Sequence, residues 1–153
     1  MVIGCLLYLT FATRPDLAYS VIKLARFASN PSLVHTRAIK RVLRYLKGTR
    51  DLGIIYSNKN INSKYLSGYC DADYAGDIAS AKSTSGYIFY LANGPISWKS
   101  KLQSIIAQST TEAEYIAINA ALKEAIYIKS LLKELNLYNQ EKLPLYIDNN
   151  GAL

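Results

Sequence analysis

Apolar residues recur every three or four positions through much of the first third of the chain and again between about 111 and 135. Between those regions they alternate or run in short bursts. The first pattern predicts amphipathic helices and the second predicts strands. Two helices are expected early. One starts at Asp16, which follows Arg14-Pro15 and would cap a helix through "LAYSVIKLARFAS", ending before Asn30-Pro31. The other starts after Ser32 and stops at Gly48, with Lys47 in its last turn, where a cation suits the helix dipole. The opening "MVIGCLLYLTFA" reads as a buried helix or strand. It has some look of a signal peptide, but it lacks a positive leading region, Gly4 and Thr10 interrupt it, and Thr-Phe-Ala makes a poor cleavage site, so secretion is not expected.

From residue 52 the bursts are "LGIIYS", "KYLSGYCDA", and the pair "STSGYIFYLANG" and "PISWKS", which pivots on Asn93-Gly94-Pro95 as a hairpin would. "QSIIAQS" could prolong the second member of that pair. A helix is predicted over about 111–135, and "LYIDNN" reads as a closing strand. A strand-helix-strand crossover normally returns parallel within one sheet. If "KYLSGYCDA" and "LYIDNN" are parallel neighbours, Asp71 and Asp148 emerge at the same carboxyl-terminal edge, where open α/β sheets bind ligands.

The long helix adds a third carboxylate. Ile118, Ala121, Ala125, Ile128, Leu132 and Leu135 form an apolar seam, and one step of four back from Ile118 lands on Glu114. "STTEAE" holds the capping-box spacing twice, at Ser109 to Glu112 and at Thr111 to Glu114, yet one helix has one cap. Glu112 lies off the seam and suits the cap. Glu114 is then left facing inward, where a charge rarely sits unless paired or bound to metal. Asp71, Glu114 and Asp148 have no cationic neighbour in sequence. Their mutual repulsion predicts a hard-oxygen site for magnesium, with manganese also able to fit. Two such ions about 4 Å apart would serve phosphodiester hydrolysis.

Charge separates the two parts of the chain. Residues 1–60 hold ten Lys and Arg against two Asp, a balance of +8, while the rest hold eight against nine acids, a balance of −1. Arg37, Lys40, Arg41, Arg44 and Lys47 recur every three or four residues and share one face of the second helix. Such a stripe suits a polyanion, nucleic acid above all, although a solvated face is the commoner fate of such runs. No apolar run approaches the roughly 20 residues needed to span a membrane, and half of the residues are hydrophobic, as a globular chain requires.

Other features are weaker. "DADYAGD" places Asp71, Asp73 and Gly76 at calcium-loop positions, but Ala75 and Lys82 fail at two others. The lone His35 is expected to pack or lie at the surface, and Trp98 and the tyrosines to fill the core. Cys5 and Cys70 lack metal-ligand spacing and suggest a reducing compartment.

The stretches "YLTFATRPDLAYSVIKLARFASNPSLVHTRAIKRVLRYLKGT", "GYCDADYAGD", "KSTSGYIFYLANGPISWKSKLQSIIAQSTTEAEYIAINAALKEAIYIKSLL" and "LYIDNNGAL" resemble the end of the Pol polyprotein of copia-type retrotransposons. The resemblance implies a helical, basic reverse-transcriptase connection segment over residues 1–60. It implies a ribonuclease H-like α/β domain over residues 61–153, a mixed sheet of three antiparallel strands, a helix and a parallel fourth strand. It further implies cleavage of the RNA strand of RNA/DNA hybrids, with Asp71, Glu114 and Asp148 as catalytic metal ligands. By the same similarity Thr110, Thr111, Asn149 and Asn150 would touch the sugar-phosphate of the hybrid, and the polymerase domain of the same polyprotein would be a partner. Members of this fold continue to a fifth strand and a helix bearing a fourth acidic ligand, so the chain is expected to be a truncated piece. Its expected location is a cytoplasmic virus-like particle or the nucleus. Two alternatives stand beside this reading: an inactive or domesticated remnant that only binds nucleic acid, and, less favoured, a secreted effector, because Arg41-Val42-Leu43-Arg44 spells "RxLR".

Overall fold

The computed structural model describes residues 2–57, 65–138, 140 and 142–148. The chain divides into two compact units, Met1–Ile55 and Tyr56–Leu153.

In the first unit there are three helices, the opening stretch taking the helical one of its two expected forms: α1 (Val2–Ala12), α2 (Ala18–Ala25) and α3 (Leu33–Gly48), with a short 3₁₀ turn at Pro15–Leu17. The signal-like opening is α1. Leu6 and Thr10 are its buried residues, and the Thr10 hydroxyl donates to the Leu6 carbonyl at 2.8 Å. Leu6, Leu17, Val21 and Val42 form the small core that all three helices share.

Asp16 does not cap α2. Its carboxylate is taken by Arg14, at 2.7 and 2.9 Å, and by the Tyr45 hydroxyl at 2.9 Å. Arg14 is buried and also donates to the Thr49 carbonyl and hydroxyl, so a charged pair ties the end of α1 to the end of α3. A strong bidentate partner outcompetes the backbone amides a cap would satisfy. α2 ends at Ala25, earlier than expected, and α3 begins after Ser32, whose amide donates to His35 Nδ1 at 3.1 Å. His35 also stacks on Phe27, with ring centroids 4.0 Å apart, which settles its packing role.

The second unit holds the sheet. β1 (Ser67–Asp77), β2 (Lys82–Leu91) and β3 (Gly94–Leu102) pair antiparallel, and β4 (Leu145–Tyr146) pairs parallel with β1, giving the order β3-β2-β1-β4. The turn between β2 and β3 uses Ala92 and Asn93, both at positive φ (53° and 62°), as a tight hairpin turn demands. β1 runs further than expected, through Asp73, which pairs with Thr84, and on to Asp77 beyond an irregularity. Asp77 accepts the Ser80 amide and hydroxyl in the turn that follows.

One expected strand and one expected strand extension are absent among the described residues. "LGIIYS" carries single bonds to the hairpin, Ser57 N to the Ala92 carbonyl at 2.7 Å and the Tyr56 hydroxyl to the Pro95 carbonyl at 2.9 Å, but no ladder. "QSIIAQS" leaves the sheet after one further bond, Gln103 N to the Ser83 carbonyl, because the Gln103 side chain turns inward. Its Nε2 donates to the Ser85 hydroxyl at 2.8 Å and to the Ala113 carbonyl at 2.9 Å, tying the strand end to the helix beyond.

That helix is α4 (Thr110–Glu134), packed over β1 and β2. Ala113, Ala117, Ala121 and Ala125, four residues apart, put the least bulk against the strands and let the helix lie close. Ile128 and Leu132 fill the far end, joining Leu66, Cys70 and Phe89 in the main core. Ile118 packs only partly against it, and Leu135, the expected last member of the seam, is exposed because the helix has ended. Gly68 is required where β1 meets this core: a Cβ there would lie 2.4 Å from the Phe89 ring. No helix among the described residues is long and apolar enough to cross a membrane.

Candidate metal centre

Three elements deliver the site. β1 and β4 run parallel with Gly68 opposite Leu145 and Tyr69 opposite Tyr146, so Asp71 and Asp148 each lie two residues beyond the last pair. α4 crosses above with Glu114 one turn inside its amino end. One carboxylate oxygen from each residue lies within 4.8 Å of the other two. Asp71 and Asp148 are exposed and Glu114 is 5% exposed, so the cluster is a rim with one buried wall.

The helix start explains why Glu114 is available. Ser109 caps α4 by accepting the Glu112 amide at 3.1 Å, and the Glu112 carboxylate accepts the Gln108 amide at 2.7 Å. Both capping needs are met without Glu114. Glu114 Oε1 instead accepts the Ala72 amide at 3.3 Å, a donor it shares with Asp71 Oδ1 at 2.8 Å. Glu114 Oε2 is buried and has no partner among the described residues.

Electrostatics point the same way. Among the described residues no Lys or Arg is paired with Asp71, Glu114 or Asp148. Burial, reinforced by the charges of Asp71 and Asp148, raises the Glu114 carboxyl above the usual carboxylate range. The neighbouring Cys70 thiol is pushed up to about 11, first by burial and then by Glu114, Asp71 and Asp148. A buried oxygen with no donor, facing two further carboxylates, is the donor set a hard divalent cation takes.

Other expected residues fall as follows. Thr110 and Thr111 open the first turn of α4, one turn before Glu114. Asn149 and Asn150 lie outside the described residues. Arg37, Lys40, Arg41, Arg44 and Lys47 are all exposed on α3, in the other unit, while Val42 on the opposite side is buried. The calcium-loop reading fails, since Asp73 belongs to β1 and Asp77 holds a turn. Sequence reasoning missed the inward Gln103, for which the only signal was a glutamine just past a strand end.

An antiparallel meander, a crossover helix and a parallel fourth strand, with carboxylates converging at the strand ends, define a mixed α/β domain of ribonuclease H-like fold. No family model and no solved structure matches the chain. It is 44% identical over 151 residues to the retrovirus-related Pol polyprotein from transposon TNT 1-94 of Nicotiana tabacum, covering 99% of this chain and 11% of that polyprotein. It is 46% identical over 151 residues to the corresponding polyprotein from transposon RE2 of Arabidopsis thaliana, covering 99% of this chain and 10% of that one. It is also 47% identical over 126 residues to secreted RxLR effector protein 161 of Plasmopara viticola, covering 82% of this chain and 87% of that protein. The chain belongs to the family of retrovirus-related Pol polyproteins of copia-type transposons, and it spans about a tenth of the length of the two polyproteins compared.

Proposed function

We propose that residues Tyr56–Leu153 act as a ribonuclease H that cleaves the RNA strand of RNA/DNA hybrids during reverse transcription, and that Met1–Ile55 is the connection to the polymerase part of the same polyprotein. The observation that carries this reading is the convergence of Asp71, Glu114 and Asp148, with Glu114 Oε2 buried and unpartnered. Divalent ions held by these three residues, two magnesium or manganese ions, would polarise the attacking water and stabilise the departing 3′ oxygen.

The chain's own residues do the rest. Asp71 and Asp148, exposed at the rim, hold the open side toward the substrate, and Glu114 closes the wall against the helix. The Thr110 and Thr111 hydroxyls sit at the amino end of α4, where amides and dipole favour a sugar-phosphate, with Asn149 and Asn150 following Asp148 in sequence as further amide donors. The α3 stripe of Arg37, Lys40, Arg41, Arg44 and Lys47 would hold the hybrid through its phosphates. On this reading the protein works in a cytoplasmic virus-like particle or in the nucleus.

The test is cleavage of a hybrid with a labelled RNA strand, with and without magnesium, by the chain and by Glu114→Gln. Metal-dependent cleavage lost in the variant supports the assignment, and a variant that binds magnesium and cleaves like the parent sinks it. Hybrid binding with no cleavage by the parent supports the narrower function of a remnant that only binds nucleic acid.

The likeness to the Plasmopara protein favours a second reading, a secreted effector. Here Arg41-Val42-Leu43-Arg44 lies within α3, and Val42 is part of the helical core. Recovery of a mature secreted form lacking residues 1 to about 12 would support it.

A further inference from the structure

A second polar feature lies beside α4, away from the three carboxylates. The helix covers β1 and β2, leaving the helix-side face of edge strand β3 open. The result is a groove of about 430 Å³ lined by Lys99 and Lys101 of β3 and by Asn119 and Lys123 of α4, with Ser85 and Gln103 on its floor. All three lysines are exposed, and among the described residues none is paired with a carboxylate. Glu124, the acid in the groove, is committed to the Ser97 hydroxyl at 2.6 Å and the Tyr87 hydroxyl at 3.2 Å. The floor is buried and polar, and Gln103 Oε1 has no donor among the described residues. A merely solvated lysine patch needs no such floor.

The register places this groove relative to the metal centre. Ala72 pairs with Ser85, and Ser85 pairs with Lys101, so the three form one row across the sheet. Ala72 is the residue whose amide Asp71 and Glu114 share. Lys101 therefore lies two strand spacings, about 10 Å, from Ala72 across the sheet. Lys99 stands two residues back, about 7 Å along the same strand, in the row of Tyr87 and Cys70, so the two lysines flank the row of Asp71 two strands away. Two cations on β3 that flank the row of Asp71, two strands from the clustered carboxylates, suit a strand whose phosphates continue past the bond at the metal centre.

We propose that the groove between α4 and β3 binds the phosphate backbone of one strand of the nucleic acid, through Lys99, Lys101 and Lys123. This rests on the nucleic-acid reading above and adds a contact surface on the sheet unit itself, separate from the α3 stripe.

The experiment measures binding of a fluorescein-labelled RNA/DNA hybrid by anisotropy across a salt series, in chelator so that no cleavage occurs. Lys99→Ala/Lys101→Ala is compared with Lys133→Ala/Lys142→Ala, which removes the same charge from exposed sites elsewhere in the unit. The groove variant should weaken binding on the order of tenfold and lower the slope of log K against log salt by about 2. The control should stay within about twofold of the parent. Equal losses in the two variants, an unchanged slope in the groove variant, or no hybrid binding by the parent would overturn the proposal. Magnesium binding, followed by calorimetry, should be the same in the groove variant as in the parent. If the parent binds no magnesium, the metal-centre reading fails while the salt slopes still decide the groove.

Discussion

Asp71 and Asp148 stand level with each other, each two residues past the paired Tyr69 and Tyr146, although 76 positions separate the members of that pair. Parallel pairing sends both carboxylates out of the same sheet edge, and α4 lowers Glu114 between them. Most of what the site is expected to do follows from that level placement and from the absence of a paired Lys or Arg among the described residues.

The first prediction concerns stability. Replacing Glu114 by Gln keeps the shape and removes a buried charge facing two others, so metal-free protein at neutral pH should melt at the same temperature or higher. Magnesium should raise the melting temperature of the parent and leave the variant unmoved. Thermal melts with and without magnesium measure both. A variant destabilised without metal would mean that the Glu114 carboxylate is structural.

A pH dependence follows from the raised Glu114 carboxyl. A carboxyl whose folded pKa exceeds its unfolded value holds its proton more tightly when folded. The contribution of Glu114 to metal-free stability, read as the difference between the parent and Glu114→Gln, should therefore be greatest below the ordinary carboxylate pKa and decline as pH rises through the folded value. Magnesium binds the ionised form, so its affinity should climb over the same window. Calorimetry in two buffers of different ionisation enthalpy should report proton release on binding.

The thiols should separate by reactivity. Cys5 is exposed, whereas Cys70 is buried with its thiol pushed up to about 11. At pH 8 in native protein Cys5 should react with a thiol reagent at least on the order of tenfold faster than Cys70, because the thiolate is the nucleophile. In denaturant both should react alike. Rapid labelling of both cysteines in the native state would contradict the placement of β1.

The sheet core supplies a stability test away from the site. Phe89 is fully buried against Gly68 and the α4 seam, so Phe89→Ala should cost roughly 3 to 5 kcal/mol in urea unfolding. Ser109→Ala, which removes the α4 cap, should cost about 1 kcal/mol. The second change should also loosen magnesium binding, because Glu114 rides on the first turns of that helix.

Sequence alone determined the local periodicities: the step of three and four that makes α4, the alternation in β1 and β2, the cap at Ser109, and Glu114 as the one charge on an apolar stripe. Those features arise from neighbours a few residues apart, and local geometry fixes them. Sequence reasoning failed where a residue chose between local and distant partners. Asp16 looked like a helix cap until Arg14 and Tyr45 claimed it. "LGIIYS" and "QSIIAQS" had strand composition, but a strand exists only where another strand offers it a ladder, and Gln103 found Ser85 and the Ala113 carbonyl instead. Only the tertiary structure decided that three carboxylates spread from 71 to 148 meet within 4.8 Å and that Lys99 and Lys101 line a groove with Lys123. Both depend on strand register and on where the crossover helix lies across the sheet, which contacts distant in sequence set together.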